Sequence, residues 1–179
     1  MNNQPARQIA VFGGSRVQPD SPEYAEAYAV GKLIARAGWT VINGGYSGTM
    51  EASARGAKEN GGRTLGVTSA EFVRLAPNNY LDEELKSADL FERIRAMFQR
   101  ADAFIVLKGS MGTLAELTIV WNLARIDKNF LKPIILLGSD WARVLETWRA
   151  HLAVTEEETN LLRVVTTPEQ VIELLKKEL

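Results

Sequence analysis

The chain has 179 residues, 46% hydrophobic and 24% charged, with a formal net charge of −1. That length suits one domain with a sizeable core, and the near-neutral balance gives no electrostatic footing for nucleic acid or an anionic membrane surface. There is no cysteine, so disulfides, thiolate nucleophiles and cysteine metal sites are excluded, and a reducing compartment is expected.

The opening stretch, MNNQPARQIAVFGG, lacks an apolar core long enough for an export signal, and no apolar run approaches a membrane span. The expected setting is the cytoplasm. Residues Gln8–Gly14, QIAVFGG, read as a strand ending in glycines. Residues Ser21–Gly38 read as a helix, with Ser21 as its cap, Pro22 in its first turn and Gly38 at its end. Thr40–Gly44, TVING, is a strand, Gly48–Gly62 a helix stopped by two glycines, and RTLGVT the next strand. Ser69–Asp89 is the least regular part, a loop with a short helical turn or an edge strand.

Leu90–Ala101 is helical, with Leu90, Ile94, Met97 and Phe98 on one face. DAFIVL is a strand. The helix Gly112–Ile126 is apolar over much of its circumference, which predicts thorough burial. KPIILLG is a strand, DWARVLETWRAHL a helix, LLRVVTT a last strand and PEQVIELLKKEL a closing helix with proline near its start.

Strands alternating with helices predict an α/β fold: a Rossmann-like, doubly wound parallel sheet with helices on both faces, taking residues 1–179 as a single domain. The unbroken apolar runs AFIVL and PIILL agree, because interior parallel strands are buried on both sides. Ligands in such folds bind in the crevice beyond the carboxyl ends of the strands.

Three strand ends carry small residues: GGSR, with Gly13, Gly14 and Ser15; GGYSGTM, with Gly44, Gly45, Gly48, Thr49 and Met50; and KGSMGT, with Gly109, Ser110, Met111, Gly112 and Thr113. Glycine permits a tight strand-to-helix turn and lets a phosphate approach the backbone. The helix that follows offers free N–H groups and a partial positive charge. Any one such loop is equally well explained as a short turn. Three at the same end of a sheet point to an anion site. The dinucleotide fingerprint is absent, as are an acidic residue at the end of TVING and the Walker A pattern, which disfavours an NAD enzyme or a P-loop NTPase.

Glu116 lies in the first turns of the helix that GSMGT starts, where the helix dipole favours an ionised carboxylate. A capping partner for the N-terminal turn is the alternative. Arg93, near the start of the preceding helix, is within reach of the same crevice. Taken alone it reads as a solvated arginine paired with Glu92 or Asp89.

The chain resembles the LOG ("Lonely Guy") family, often mislabelled as lysine decarboxylases. The family hallmark is P-G-G-x-G-T-x-x-E, and KGSMGTLAE (Lys108–Glu116) stands in register with it. RIRAM (Arg93–Met97) and ADAF (Ala101–Phe104) are similar to the family's R-K-x-x-M helix and the strand after it. AVFGGSR and INGGYSGTMEASARGAKENGGRTLGV resemble its first loop and its second glycine segment. The resemblance implies hydrolysis of the N-glycosidic bond of a nucleoside 5′-monophosphate, cytokinin-type or ordinary purine or pyrimidine, to free base and ribose 5-phosphate. It implies that Arg93 and Glu116 are catalytic, that the active unit is a homodimer with further association left open, and that no cofactor is needed. Lys108 stands for the family proline, Ser110 for the second glycine, Ile94 for a lysine and Ala115 for a common glutamate. If the glycine replaced by Ser110 needs positive φ, the serine is strained.

His151, the only histidine, falls at a helix C-terminus, which suits a surface or dipole-stabilising role, and a metal site is not expected. Trp39, Trp121, Trp141 and Trp148 read as core or subunit-contact residues, and the apolar helix Gly112–Ile126 as a dimer contact. A lysine decarboxylase is not supported. The rival reading is a non-catalytic carrier of a nucleotide or phosphorylated cofactor, as in the molybdenum-cofactor carriers that this chain also resembles.

Overall fold

The computed structural model describes residues 6–127, 129–130 and 132–179. Residues 1–5, part of the stretch considered above for an export signal, lie outside the described residues. Seven strands are found among the described residues: β1 (Gln8–Phe12), β2 (Thr40–Asn43), β3 (Arg63–Ser69), β4 (Glu83–Ser87), β5 (Ala103–Val106), β6 (Ile134–Leu137) and β7 (Leu162–Val165). They form one parallel sheet in the order β4-β3-β2-β1-β5-β6-β7. The doubly wound α/β expectation therefore holds.

Every residue of AFIV and IILL is buried, as are Ile9–Phe12 of β1. The two-sided apolar runs take the centre, and the charged segment EELKS becomes the β4 edge, where charge discourages further pairing. Helices α1 (Pro22–Arg36), α2 (Thr49–Lys58) and α7 (Pro168–Glu178) cover one face. Helices α3 (Leu90–Arg100), α4 (Met111–Ile126) and α5 (Asp140–His151) cover the other. The strand order reverses between β1 and β5, so the loops after these two strands part and open a crevice.

Local signals account for most boundaries. The Ser21 side chain accepts from the Tyr24 N–H, as its position before Pro22 predicts, and Asp89 does the same for the Glu92 N–H. A one-turn helix, α6 (Glu156–Thr159), was not anticipated, although Thr155 and Glu158 form a reciprocal capping box. Two expectations for helices hold only in part. On α3 the buried face is Arg93, Ile94 and Met97, while Leu90 is 37% exposed. The arginine displaces the leucine because it finds buried partners. On α4 only Thr113, Glu116, Leu117 and Val120 are buried, and Met111 and Ile126 are 77% and 62% exposed. That helix is apolar on both faces but is covered on one.

Helices α1 and α2 cross at close range through Gly31, where an added Cβ would lie 1.9 Å from the Ser53 carbonyl oxygen. Alanine is the better helix former by about 1 kcal/mol, but overpacking here should dominate. Gly31→Ala is expected to destabilise the fold by about 1–3 kcal/mol, seen as a lower midpoint of urea unfolding. An unchanged or higher midpoint would mean that the two helices can move apart at no cost.

Candidate active site

The three glycine loops do meet, and main-chain bonds join them. Gly14 donates its N–H to the Lys108 carbonyl at 3.2 Å and accepts at its own carbonyl from the Thr49 N–H at 3.0 Å. The Thr49 hydroxyl lies 3.3 Å from the same carbonyl, and the Ser47 hydroxyl donates to the Ser15 carbonyl at 3.0 Å. One residue of the β1 loop thus ties the β2 loop to the β5 loop.

The loops differ in what they offer a ligand. Gly44, Gly45, Gly48, Thr49 and Met50 are buried, and the leading N–H of α2 is already spent on Gly14. They form the floor. Gly109, Ser110, Met111 and Gly112 are exposed, with Gly13, Gly14 and Ser15 facing them at least partly open. At the start of α4 the first intrahelical bond runs from the Leu114 N–H to the Ser110 carbonyl, so the N–H groups of Met111, Gly112 and Thr113 precede the helical ladder. Gly14–Val17, Glu23 and Lys108–Ser110 line a cavity of about 240 Å³ beside this turn. The exposed donors therefore lie at the β5–α4 turn, a geometry able to receive an anion, with the β1 loop as the opposite wall.

Ser110 is not strained. Its φ of −113° and ψ of −156° are extended, and no non-glycine residue among the described residues has positive φ. Glycine is needed one residue earlier. A Cβ at Gly109 would meet the Thr113 hydroxyl at 2.0 Å. Lys108 is exposed at the rim of the cavity, beside the turn.

Arg93 and Glu116 sit beneath the loops. Both are buried, at 6% and 8% exposure, and Arg93 Nη1 lies 3.3 Å from Glu116 Oε1. This overturns the solvated reading of Arg93: Glu92 turns instead to the Ala88 N–H. It also overturns the capping reading of Glu116, which is the sixth residue of α4 and takes its hydrogen bond from Arg93. Arg93 Nε donates to the Val67 carbonyl at the end of β3, at 2.7 Å. The guanidinium lies against Gly44, where a Cβ would come within 1.7 Å of Nη2, so a side chain there would evict it. Gly44 is shaped by Asn43, whose amide donates to the Met50 carbonyl and the Ser53 hydroxyl while its oxygen accepts the Gly45 N–H. Tyr46 and Phe72 place their rings 5.8 and 5.9 Å from the guanidinium carbon. The sequence reading missed Asn43, Tyr46, Val67 and Phe72; the one available signal was an aromatic residue inside the glycine run GGYSG.

Helix-dipole reasoning predicts an ionised Glu116. Burial wins instead: it pushes the carboxyl up to about 7, and the Arg93 charge and hydrogen bond oppose this only in part. Near neutral pH both its charged and its neutral form are populated, which suits a general base.

A larger cavity, about 790 Å³, lies on the far side of the turn. Lys108, Gly109, Leu114, Leu137, Trp141 and Trp148 are among the residues that line it. Trp148 stacks on Trp121 at 5.7 Å, and Trp141 is buried, so these indoles are built into the packing as expected. His151 is exposed at the end of α5.

The profile of the SLOG cluster4 family matches residues 6–172. A cytokinin riboside 5′-monophosphate phosphoribohydrolase of Mycobacterium marinum is 36% identical over 160 residues, spanning 86% of this chain and 83% of that protein. The protein of the same name in Mycobacterium tuberculosis is 38% identical over 123 residues, 65% of each. Among solved structures, the molybdenum cofactor binding protein from the phototrophic bacterium Rippkaea orientalis superposes with a TM-score of 0.77 at 26% identity, covering 97% of each chain. With the Lys108–Glu116 motif seated at the turn from β5 into α4, the chain belongs to the SLOG cluster4 family and, with its phosphoribohydrolase relatives, to the LOG family.

Proposed function

We propose that the protein hydrolyses the N-glycosidic bond of a nucleoside 5′-monophosphate, giving free base and ribose 5-phosphate. The observation that carries this reading is the buried Arg93–Glu116 pair, 3.3 Å apart, one to two turns along α4 from a main-chain anion cradle. The relatives named as phosphoribohydrolases support it.

The chemistry follows from where charge develops. As the C1′–N bond breaks, its electrons leave with the base and the ribosyl ring gains oxocarbenium character. Ionised Glu116 balances that cation and takes a proton from the attacking water, whose oxygen forms the new C1′–O bond. The proton passes to the departing base nitrogen. Arg93 holds the carboxylate in place and donates towards the base or the phosphate. The phosphate rests on the N–H groups of Gly109–Thr113, flanked by Gly13, Gly14 and Ser15. Binding energy at that distance from the reacting bond serves orientation.

A second reading, a non-catalytic carrier of a nucleotide or phosphorylated cofactor, draws on the likeness to the Rippkaea orientalis protein and on Lys108 and Ser110, where the family motif has proline and glycine. A panel of nucleoside monophosphates assayed for free base separates the two.

We infer further that the active unit is a homodimer in the cytoplasm acting on a small nucleotide. Leu117 and Val120, on the helix expected to make the dimer contact, are spent on the chain's own core, and Trp121 is stacked on Trp148. Half-buried Leu123 and exposed Ile126 are the apolar residues of α4 left on its outer side. No helix among the described residues is long and apolar enough to cross a membrane.

Glu116→Gln is expected to keep nucleotide affinity and to lose base release by roughly 100-fold or more in kcat, with KM little changed, because the carboxylate charge matters most in the transition state. Equal turnover would remove Glu116 from the chemistry. In the wild type, kcat/KM should fall as pH drops through about 7, since protonation of Glu116 removes the acting form. A flat profile from pH 8 to pH 5 would contradict this. Inorganic phosphate should shift the amide resonances of Gly109–Thr113 and leave those of Met50 and Glu51 in α2 in place. Sedimentation at micromolar concentration should give a dimer, and Ile126→Asp should weaken it.

A further inference from the structure

We propose that Tyr46 and Phe72 are positioning residues: an aromatic clamp that keeps the Arg93 guanidinium turned onto Glu116. The inference rests on the role given to Glu116 above. It begins from a shortage. A buried guanidinium has five N–H donors, and the polar acceptors within reach here are the Val67 carbonyl and one carboxylate oxygen at 3.3 Å. The sulfur of Met50, 4.0 Å from Nη2, adds a weak third contact. Two π faces make up part of the deficit, since a cation near an aromatic ring away from water is held more strongly than at an exposed site.

The clamp is itself anchored. The Tyr46 hydroxyl accepts from the Ser69 N–H at 2.8 Å and lies 3.3 Å from the Ser69 carbonyl. Asn78 fixes the same loop, donating its side-chain amide to the Tyr46 carbonyl and its main-chain N–H to the Gly45 carbonyl. Phe72 meets Tyr46 edge to face, 5.7 Å between centroids at 74°. It comes from the irregular stretch after β3, where its N–H is bonded to the Ser69 carbonyl and its carbonyl accepts from Leu75. Rings from two loops thus close over a cation carried by α3 and aimed at a carboxylate carried by α4. No contact from Tyr46 or Phe72 to Glu116 is needed for them to govern it.

The consequence is electrostatic. Arg93 is the charged group that lowers the Glu116 titration against the pull of burial. The acids on neighbouring elements are engaged elsewhere: Glu51 of α2 with the Tyr24 hydroxyl, Glu84 of β4 with the Thr68 hydroxyl and Glu92 of α3 with the Ala88 N–H. If the guanidinium swings away while the site stays dry, Glu116 loses its counter-charge and holds its proton to higher pH.

The test uses Phe72→Leu and Tyr46→Leu, which keep apolar bulk and remove the rings, with Phe72→Tyr as the conservative partner and Tyr46→Phe, which keeps the ring but removes its hydroxyl anchor, as the intermediate case. The Glu116 carboxyl is followed by carbon NMR across pH in each folded protein, with Glu116→Gln identifying the signal. The leucine variants should titrate at higher pH than the wild type, Phe72→Tyr close to it, and Tyr46→Phe between the two, since it keeps the ring and loses the Ser69 anchor. The acid limb of base release should move the same way, with kcat lowered about tenfold, the scale of a lost desolvated cation–π contact, and KM changed less. A carboxyl titration unmoved in both leucine variants would overturn the clamp, whatever happens to thermal stability. The NMR arm does not depend on turnover, so a wild type that releases no base would sink the proposed reaction and leave the clamp to be decided by the titration alone.

Discussion

A cation buried between two helices sets the terms for this molecule. Taking a guanidinium out of water is tolerable only if its donors and its charge find partners on the spot. Arg93 finds them on five separate elements: the Val67 carbonyl from β3, Glu116 from α4, Met50 from α2, and the Tyr46 and Phe72 rings from two loops. The bare backbone at Gly44 leaves room for it. Each partner is placed by ordinary fold chemistry. The parallel order puts the ends of β1, β2, β3 and β5 side by side, and the reversal beside β1 leaves the space above them open. Glu116 then inherits a dry environment and a nearby positive charge, and the competition between the two decides its proton affinity.

Much of this was legible in the residues. Alternating apolar runs and capped helical patterns fixed the α/β order, because QIAVF, TVIN, TLGV, AFIV and IILL are short runs that can be buried on both sides. The three glycine segments marked the end of the sheet where the loops after β1, β2 and β5 meet. The pairing of Arg93 with Glu116 was within reach only through the family motif, since the two lie 23 positions apart and each has a plausible local partner. What stayed hidden was whatever depends on three-dimensional packing. Periodicity places Leu90 on the buried face of α3, but a residue that brings its own counter-charge can outbid a leucine for an interior position. Dipole arguments cover the first turn of a helix and say little about a sixth residue sealed from water. The contribution of Phe72 depends on a loop with no periodic signal at all.

The glycine loops also show why resemblance among sequence segments is not equivalence of role. GGYSGT and GSMGT both lead from a strand into a helix, and both offer a helix start. In the first, Gly14 occupies the leading donor and the residues are buried, so the segment supports. In the second the leading N–H groups precede the helical ladder at an exposed turn, so the segment can receive. The difference lies in a neighbour's carbonyl, which no reading of either segment in isolation could supply.

The extended conformation of Ser110 bears on how such proteins are recognised. A receptor made of main-chain amides leaves its side chains free to drift, provided the geometry of the turn survives. At position 109 the Thr113 side chain enforces glycine, whereas at position 110 there is ordinary backbone and open solvent. In this chain, then, glycine is a steric requirement at position 109 and a free choice at position 110. A search weighted by that distinction would gather chains that carry a serine, or another L-residue, in the second place and keep the same turn.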